Sequence, residues 1–142
     1  MYCVIYDGNC NLCTNLVRSL EALDQGRQFH YVPMQDQETL THYGITPTDC
    51  EAGMILLDLD HPKRRWQGSD AAEEIGRLLP MGQPLVQAYR GLPGAKQLGD
   101  QIYAYVRDRR YELFGKRTQT YTSAYPHCSD QSCQSYGDIS SP

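Results

Sequence analysis

The residues of this chain best suited to chemistry are Cys10 and Cys13, which flank Asn11 and Leu12 in a C-x-x-C arrangement. They stand where an apolar run, residues 1–6, gives way to an amphipathic segment that begins near Asn11. The first turn of a helix has unpaired N–H groups and a partial positive charge, and both stabilise a thiolate relative to the thiol. We therefore predict a reactive sulfur here.

The positions of the two cysteines divide their predicted roles. Cys10 lies nearer the exposed start of the helix, so we predict that its pKa falls into the range of about 3.5 to 7.5 and that it attacks a substrate disulfide as a thiolate. Cys13, one turn further in, is predicted to resolve the mixed disulfide. Asp7 is the third candidate, because a carboxylate here either relays a proton during the resolving step or, if it points at Cys10, opposes thiolate formation. Its orientation stays open.

Two other functions fit a C-x-x-C pair. The first is a non-catalytic binding module in which the pair serves as a redox switch or as an inert structural pair. The second is a zinc site, for which Cys10 and Cys13 need two further ligands, from Cys50 or from the tail residues Cys128 and Cys133.

Composition favours one globular domain with a hydrophobic core. The chain has 142 residues, 40% hydrophobic and 21% charged, and a net charge of −4, which excludes a chain disordered throughout. Its acidic first half and basic second half are interpreted as ordinary solvated faces, so we predict no nucleic-acid partner. No apolar run approaches the roughly 18 residues of a membrane span, and no signal peptide opens the chain, so we expect a cytoplasmic protein.

Hydrophobic patterning predicts alternating strands and helices. Continuous apolar runs rich in β-branched and aromatic residues indicate buried strands, whereas apolar residues spaced by three and four indicate amphipathic helices. The first strand, helix and second strand are predicted to form a right-handed parallel unit, and the third and fourth strands an antiparallel pair. We predict strands at 1–6, 29–32, 54–59 and 64–67, helices beginning near residue 11, after Asp36 and, with Ser69 as N-cap, near residue 69, and a polar loop at 46–53.

This order, βαβα followed by ββα with the C-x-x-C between the first strand and the first helix, is that of the thioredoxin fold. We predict a thioredoxin-like three-layer α/β core over residues 1–80 with a mixed four-stranded sheet. Residues 81–117 are predicted to form a C-terminal helical extension that packs on the core and is interrupted at 91–94, and their basic residues, Arg110 among them, are interpreted as a solvated helix face. Residues 118–142 are predicted to form a polar, flexible tail.

Three ordered motifs carry a family resemblance. The stretch from Tyr6 to Cys13, Tyr-Asp-Gly-Asn-Cys-Asn-Leu-Cys, resembles the signature of the DCC family of thiol-disulfide oxidoreductases, in which Asp7, Cys10 and Cys13 match the residues that name the family. Gly68-Ser69-Asp70-Ala71 and Arg110-Tyr111-Glu112-Leu113-Phe114-Gly115 match further downstream. The resemblance covers residues 2–117 and implies a thioredoxin-like fold and disulfide oxidoreductase activity.

The chain differs from better-known thioredoxins in two ways. Asn11 and Leu12 stand between the cysteines in place of Gly-Pro, and Gly53 stands before the third strand in place of the cis-proline that helps to dock extended substrate chains. The predicted partners are a disulfide-containing protein or a small thiol such as glutathione, with a small thiol or a dedicated partner favoured. Electrons are expected from another thiol reductant system, because the chain has no Gly-rich nucleotide motif, and no bound cofactor is predicted.

The remaining cysteines are expected to lie outside the chemistry. Without an export signal, the six cysteines do not indicate a disulfide framework. Cys3, inside the first strand, is predicted to be a small buried hydrophobe. Cys50 precedes the third strand in a loop that borders the active site of thioredoxin-like folds, and it is interpreted as an incidental thiol. Cys128 and Cys133 are interpreted as idle tail residues, with a relay to the C-x-x-C pair as the alternative.

Overall fold

The computed structural model describes residues 1–61, 63–79, 82–123 and 125. It confirms the predicted α/β class, because one mixed four-stranded sheet has helices packed on both faces. The strands are β1 (Tyr2–Tyr6), β2 (Phe29–Pro33), β3 (Ile55–Asp58) and β4 (Arg65–Gln67), and the helices are α1 (Asn11–Asp24), α2 (Gln37–His42), α3 (Pro47–Glu51), α4 (Ser69–Leu78), α5 (Gly82–Gly91), α6 (Ala95–Asp108) and α7 (Arg110–Phe114).

Strand β1 lies inside the sheet, which has the order β2-β1-β3-β4. It pairs in parallel with β2 and antiparallel with β3, and β4 is antiparallel to β3, as predicted. Its side chains alternate between two core layers, with Cys3 and Ile5 in one and Val4 and Tyr6 in the other. Because both layers hold β1 firmly, its carboxyl end fixes the position of the loop that leads to the C-x-x-C.

The ends of the first two helices follow from local sequence. Cys10 is the N-cap of α1, in an extended conformation with φ −100° and ψ 126°. The helix ends on Gln25, which adopts a left-handed conformation with φ 53°, and Gly26 follows with φ 76°. The Asp36 side chain caps α2 as predicted, by accepting a hydrogen bond from the Thr39 N–H.

Two local predictions were wrong. The polar loop predicted at 46–53 contains the single-turn helix α3, which begins with a capping box between Thr46 and Asp49. One helical turn is too short to produce a hydrophobic period, so the pattern missed it. Ser69 does not cap α4: Gly68 occupies the N-cap, and the Ser69 hydroxyl instead donates to Asp100 of α6. The Ser69 hydroxyl thus bonds to a residue distant in sequence instead of a backbone N–H of its own helix.

The C-terminal helices lie against the core at two places. Helices α5 and α6 contact α4, and α7 contacts α1; the second predicted helical stretch is divided at Arg109. After α7 the chain returns along the core, where the Tyr121 N–H donates to the Gly8 carbonyl at 2.8 Å and the Tyr31 N–H to the Tyr125 carbonyl at 3.0 Å. This first part of the predicted tail is therefore paired with the core. None of the helices described is long and apolar enough to cross a membrane.

Candidate active site

The start of α1 places the two cysteines in direct contact. The Cys10 N–H donates to the Asp7 carbonyl at 3.2 Å, and the Cys10 carbonyl accepts from the Thr14 N–H at 3.0 Å, so the loop leads straight into the helix. The Cys10 Sγ accepts a hydrogen bond from the Cys13 N–H at 3.4 Å. The sulfur thus accepts a hydrogen bond from one of the N–H groups that a helix start leaves without a backbone partner.

The two thiols differ strongly in acidity. The hydrogen bond from the Cys13 side chain lowers the pKa of Cys10 from 9.0 to about 6, and the backbone N–H of Cys13 adds to this against the opposing effect of burial. The same hydrogen bond, together with burial, raises the pKa of Cys13. In the reduced pair the thiolate is therefore favoured on Cys10 and the proton on Cys13.

The more acidic thiol, Cys10, is also the less exposed of the two. Cys10 was expected near an exposed helix start, but it is fully buried, with 0% of its surface accessible, whereas Cys13 is partly exposed. The expectation failed because residues 115–121, which we call the cover segment, lie over the loop before α1. The Arg117 N–H donates to the Asn9 carbonyl at 2.6 Å, and the Asn11 N–H donates to the Gly115 carbonyl at 3.3 Å.

Side chains complete the contact between the cover segment and the loop. The Thr120 hydroxyl donates to the Asn9 side-chain oxygen at 2.7 Å, and Cys10 forms an isolated antiparallel bridge with Lys116. Gly8 leaves room for this contact, since a Cβ added there would come within 2.6 Å of the Thr120 methyl carbon and would displace it. The approach to Cys10 is closed on this side.

Asp7 points away from the solvent and into a set of donors. Its Oδ2 accepts from the Tyr111 hydroxyl and from Arg110 Nη2 at 3.2 Å, and its Oδ1 accepts from Gln35 Nε2 and the Asn9 N–H, each at 3.0 Å. Burial alone would raise the pKa of Asp7, but these hydrogen bonds and the Arg110 charge outweigh it, and the pKa lies below its ordinary value. Asp7 is therefore an anion at neutral pH.

An apolar cavity of about 210 Å³ lies beside Cys13. Helices α1 and α6 and the residues just before β3 contribute to its walls, and the charged side chains that line it are Asp7, Arg107 and Arg110. The side chains that define this Cys13 cavity include Leu12, Cys13, Leu16, Met54, Tyr103 and Val106. Of the two sulfurs, the protonated one thus borders an open space.

Comparison with known proteins identifies the family of this chain. The profile of the family described as DCC1-like thiol-disulfide oxidoreductase matches residues 4–116, which include both cysteines, Asp7 and Arg110. The chain belongs to this family. It is also 24% identical over 118 residues to a protein of Bacillus subtilis (strain 168) with the name Uncharacterized protein YuxK, and the match covers 82% of each chain. No solved structure matches the chain.

Two residues of this DCC1-like site were not predicted from their chemistry. Arg110 was interpreted as part of a solvated helix face, which was wrong for this side chain: only 17% of it is exposed, and it is ion-paired with Asp7. Tyr111 donates to the same carboxylate. The available signal was the downstream motif Arg110-Tyr111-Glu112-Leu113-Phe114-Gly115, whose place beside Asp7 depends on tertiary structure.

The other described cysteines do not join the pair in a metal site. Among residues 1–61, 63–79, 82–123 and 125, no three His, Cys, Asp or Glu side chains are grouped to hold a metal ion. Cys10, Cys13 and Cys50, the set considered for the alternative zinc site, are therefore not assembled. Cys50 is buried in α3, not in a loop, and Cys3 is buried in β1 as predicted, where burial raises its pKa to about 12. Cys128 and Cys133 lie outside the described residues.

Proposed function

We propose that this DCC1-like protein catalyses thiol-disulfide exchange through Cys10 and Cys13, with Cys10 attacking and Cys13 resolving. The observation that carries the proposal is the Cys10 sulfur at the start of α1, which accepts the Cys13 N–H and whose pKa is lowered to about 6. The thiolate is the nucleophile in such exchange, so a sulfur ionised at neutral pH is suited to attack.

The proposed reaction takes two steps. The Cys10 thiolate attacks one sulfur of a disulfide R–S–S–R, a Cys10–S–S–R bond forms, and the other half leaves as a thiolate. Cys13 then loses its proton to the departing thiolate and attacks the Cys10 sulfur, so that the second half leaves and a Cys10–Cys13 disulfide remains. Two electrons pass from the dithiol to the substrate. An external thiol reductant returns the pair to its starting state.

We assign Asp7 a positioning role, exerted through its ion pair with Arg110. Its carboxylate is surrounded by hydrogen-bond donors that favour the anion, so it is a weak proton acceptor. The Arg110 charge lowers the pKa of Cys13, whereas the Asp7 charge raises it. We therefore assign Asp7 to hold Arg110 beside the pair, where the guanidinium assists Cys13 to ionise during the resolving step.

The proposed partners follow from this chemistry. The oxidised substrate is a protein disulfide or a small-molecule disulfide, and the electron donor is a thiol system such as glutathione. No bound cofactor is needed, because the dithiol itself carries the two electrons. A reducing compartment, the cytoplasm, keeps the pair in the form that reacts as a reductant.

Trapping of the mixed disulfide tests the roles. Wild-type protein is expected to turn over a disulfide in a coupled reduction assay, and Cys10→Ser is expected to abolish turnover. Cys13→Ser is expected to accumulate a mixed disulfide on Cys10, identified by mass spectrometry of the digested protein. If Cys10→Ser captures the substrate on Cys13 and Cys13→Ser captures nothing, the roles are reversed while the exchange reaction stands.

A redox switch is the second candidate, and the burial of Cys10 favours it. An enzyme must bring its thiolate to a substrate, but Cys10 is closed off by the cover segment. In a switch, oxidation of the pair would instead change how the cover segment binds. Hydrogen exchange at the amides of Arg117 and Tyr121, compared in the reduced and oxidised protein, tests this: a large difference without turnover of any disulfide supports the switch over the enzyme.

A further inference from the structure

The backbone beside the C-x-x-C pair is already paired within the chain. The Met54 N–H, just before β3, donates to the Tyr103 hydroxyl at 3.2 Å, and the Met54 carbonyl accepts from the Gly68 N–H at 2.8 Å. An extended peptide binds by pairing with free backbone groups of this kind. Tyr103 from α6 thus occupies the position that a substrate chain would use.

The fit of Tyr103 at this position is close. A Cβ added to Gly53 would lie 2.7 Å from the Tyr103 hydroxyl, and Gly53 has φ 119°, a value that suits glycine. On the other side of the pair, the cover segment uses the backbone groups of Gly8, Asn9 and Asn11. Both stretches of backbone that flank the cysteines are therefore unavailable to an extended chain.

The Cys13 cavity has the size and lining for a small organic group. Its volume is about 210 Å³, and an apolar cavity of about 150 Å³ is large enough to hold benzene. Leu12, Leu16 and Val106 line it together with Cys13. A group bound in this cavity lies next to the Cys13 sulfur. It leaves water when it binds, which favours apolar groups.

We propose that the substrate is a low-molecular-weight disulfide that carries an apolar organic group, and that the Cys13 cavity binds this group. The inference rests on the proposed exchange reaction and names its substrate class. The Cys10 thiolate and the Cys13 thiol supply two electrons and one proton, and water supplies the second proton, so that the substrate R–S–S–R′ leaves as the thiols R–SH and R′–SH. The Cys10–Cys13 disulfide is reduced again by an external thiol.

Two mixed disulfides of glutathione provide the test, one with benzylthiol and one with 2-hydroxyethanethiol, since both are alkyl disulfides that differ in the apolar group. We expect kcat/KM for the benzyl compound to exceed that for the hydroxyethyl compound by about tenfold, mainly through KM. The disulfides of insulin, which an extended chain presents, are expected to react more slowly than either compound.

Variants of the cavity make the test specific. Val106→Phe fills the cavity and Leu16→Gln makes its rim polar, so each is expected to reduce the benzyl preference to about twofold or less. Leu16 is 48% exposed, so its substitution keeps the test available if Val106→Phe does not fold. Leu98→Phe, on the same helix as Val106 but 58% exposed and outside the cavity, is the matched control and is expected to keep the full preference.

The outcomes separate the inference from the function on which it rests. Equal kcat/KM for the two compounds, faster reaction with insulin, or a benzyl preference that survives both cavity variants overturns the inference and leaves the exchange reaction intact. No turnover with any of the three disulfides overturns the proposed function and, with it, the substrate class.

Discussion

Among the residues that the structure describes, two ionic clusters join the C-terminal helices to the core, and they differ in burial and in what they contact. In the first, the brace cluster, Lys96 of α6 lies 2.5 Å from Asp70 and 2.7 Å from Glu73 of α4 and 2.8 Å from Asp100. In the second, the site cluster, Arg110 and Tyr111 meet Asp7 beside the cysteines. The side chains of Lys96 and Asp70 are 39% and 61% exposed, whereas those of Arg110 and Asp7 are 17% and 4% exposed.

The brace cluster therefore serves to attach α6 to the core, whereas the site cluster also influences the cysteines. Solvent screens the exposed charges of Lys96, Asp70 and Asp100 in the brace cluster. Glu73 has a second partner in Arg90, so the loss of Lys96 is tolerated. In the site cluster a buried carboxylate depends on a few donors, and its charge acts on both cysteines. We therefore expect similar substitutions to have larger and chemically different effects in the site cluster.

The largest effect is expected for Arg110→Met. Removal of the guanidinium leaves Asp7 buried with its charge less compensated, so the free energy of unfolding of the reduced protein is expected to fall by about 3 kcal/mol. Urea unfolding at neutral pH measures the change.

Lys96→Met is the matched comparison. It removes a cation of the brace cluster, and the loss of stability is expected to be less than half of that for Arg110→Met and to shrink in high salt. An equal or larger loss for Lys96→Met, or a loss that is insensitive to salt, would contradict the distinction between the clusters.

The next effect is expected for Tyr111→Phe, which removes one hydrogen bond to a charged group and is expected to cost about 2 kcal/mol at neutral pH. The lowered pKa of Asp7 means that its contribution to stability is present above the ordinary pKa of 3.8 and is lost as pH falls through the lowered folded value. The difference between wild type and variant in urea unfolding should therefore narrow in acid. Tyr105→Phe, an exposed tyrosine on α6, is the control; a Tyr111→Phe deficit that stays constant down to the acid transition would speak against an ionised Asp7.

A smaller change is expected in the titration of Cys10. Thiolate absorbance in the ultraviolet should rise with a midpoint at about pH 6 in the reduced wild type, against an ordinary value of 9.0, and this transition should vanish in Cys10→Ser. Arg110→Met leaves the Asp7 charge, which raises the pKa of Cys10, less neutralised, so the midpoint should move upward. Lys96→Met should not move it, and a shift there would remove the distinction between the clusters.

The smallest effect on stability is expected for Thr120→Ala, which removes one hydrogen bond between the cover segment and Asn9. A loss of about 0.5 kcal/mol is expected in urea unfolding, together with severalfold faster alkylation of Cys10 by iodoacetamide at neutral pH. Thr118→Ala, two residues before the contact, is the control. An unchanged alkylation rate would show that the cover segment does not limit access to the thiolate.

Much of the fold was predictable because its signals are local. The apolar run at residues 1–6, the helical period after Asn11 and the antiparallel strand pair around residues 54–67 depend on side-chain spacing, and the sheet order agrees with them. Helix α3 was not predicted because a single turn produces no hydrophobic period. The cap of α4 was misassigned because the Ser69 hydroxyl donates a hydrogen bond to Asp100, 31 residues further along the chain. Such partners leave no periodic trace in the sequence.

The site was predictable only in part for the same reason. The C-x-x-C spacing and its place at a helix start were sufficient to predict an acidic sulfur at Cys10, since the helix N-terminus is a local feature. The burial of that sulfur was not predictable, because the residues that cover it, Gly115 to Tyr121, lie about a hundred positions away and reach it through backbone hydrogen bonds.

The sequence by itself determined the α/β order, the cysteine pair at the start of α1 and the family. Tertiary structure alone decided that Asp7 is held by Arg110 and Tyr111, that Cys10 is buried while Cys13 is partly exposed, and that the Tyr103 hydroxyl pairs with the backbone ahead of β3. The physical reason is the sequence separation of the interacting residues. Helix propensity and capping depend on residues a few positions apart, whereas burial and ion pairing depend on which distant segments come into contact when the chain folds.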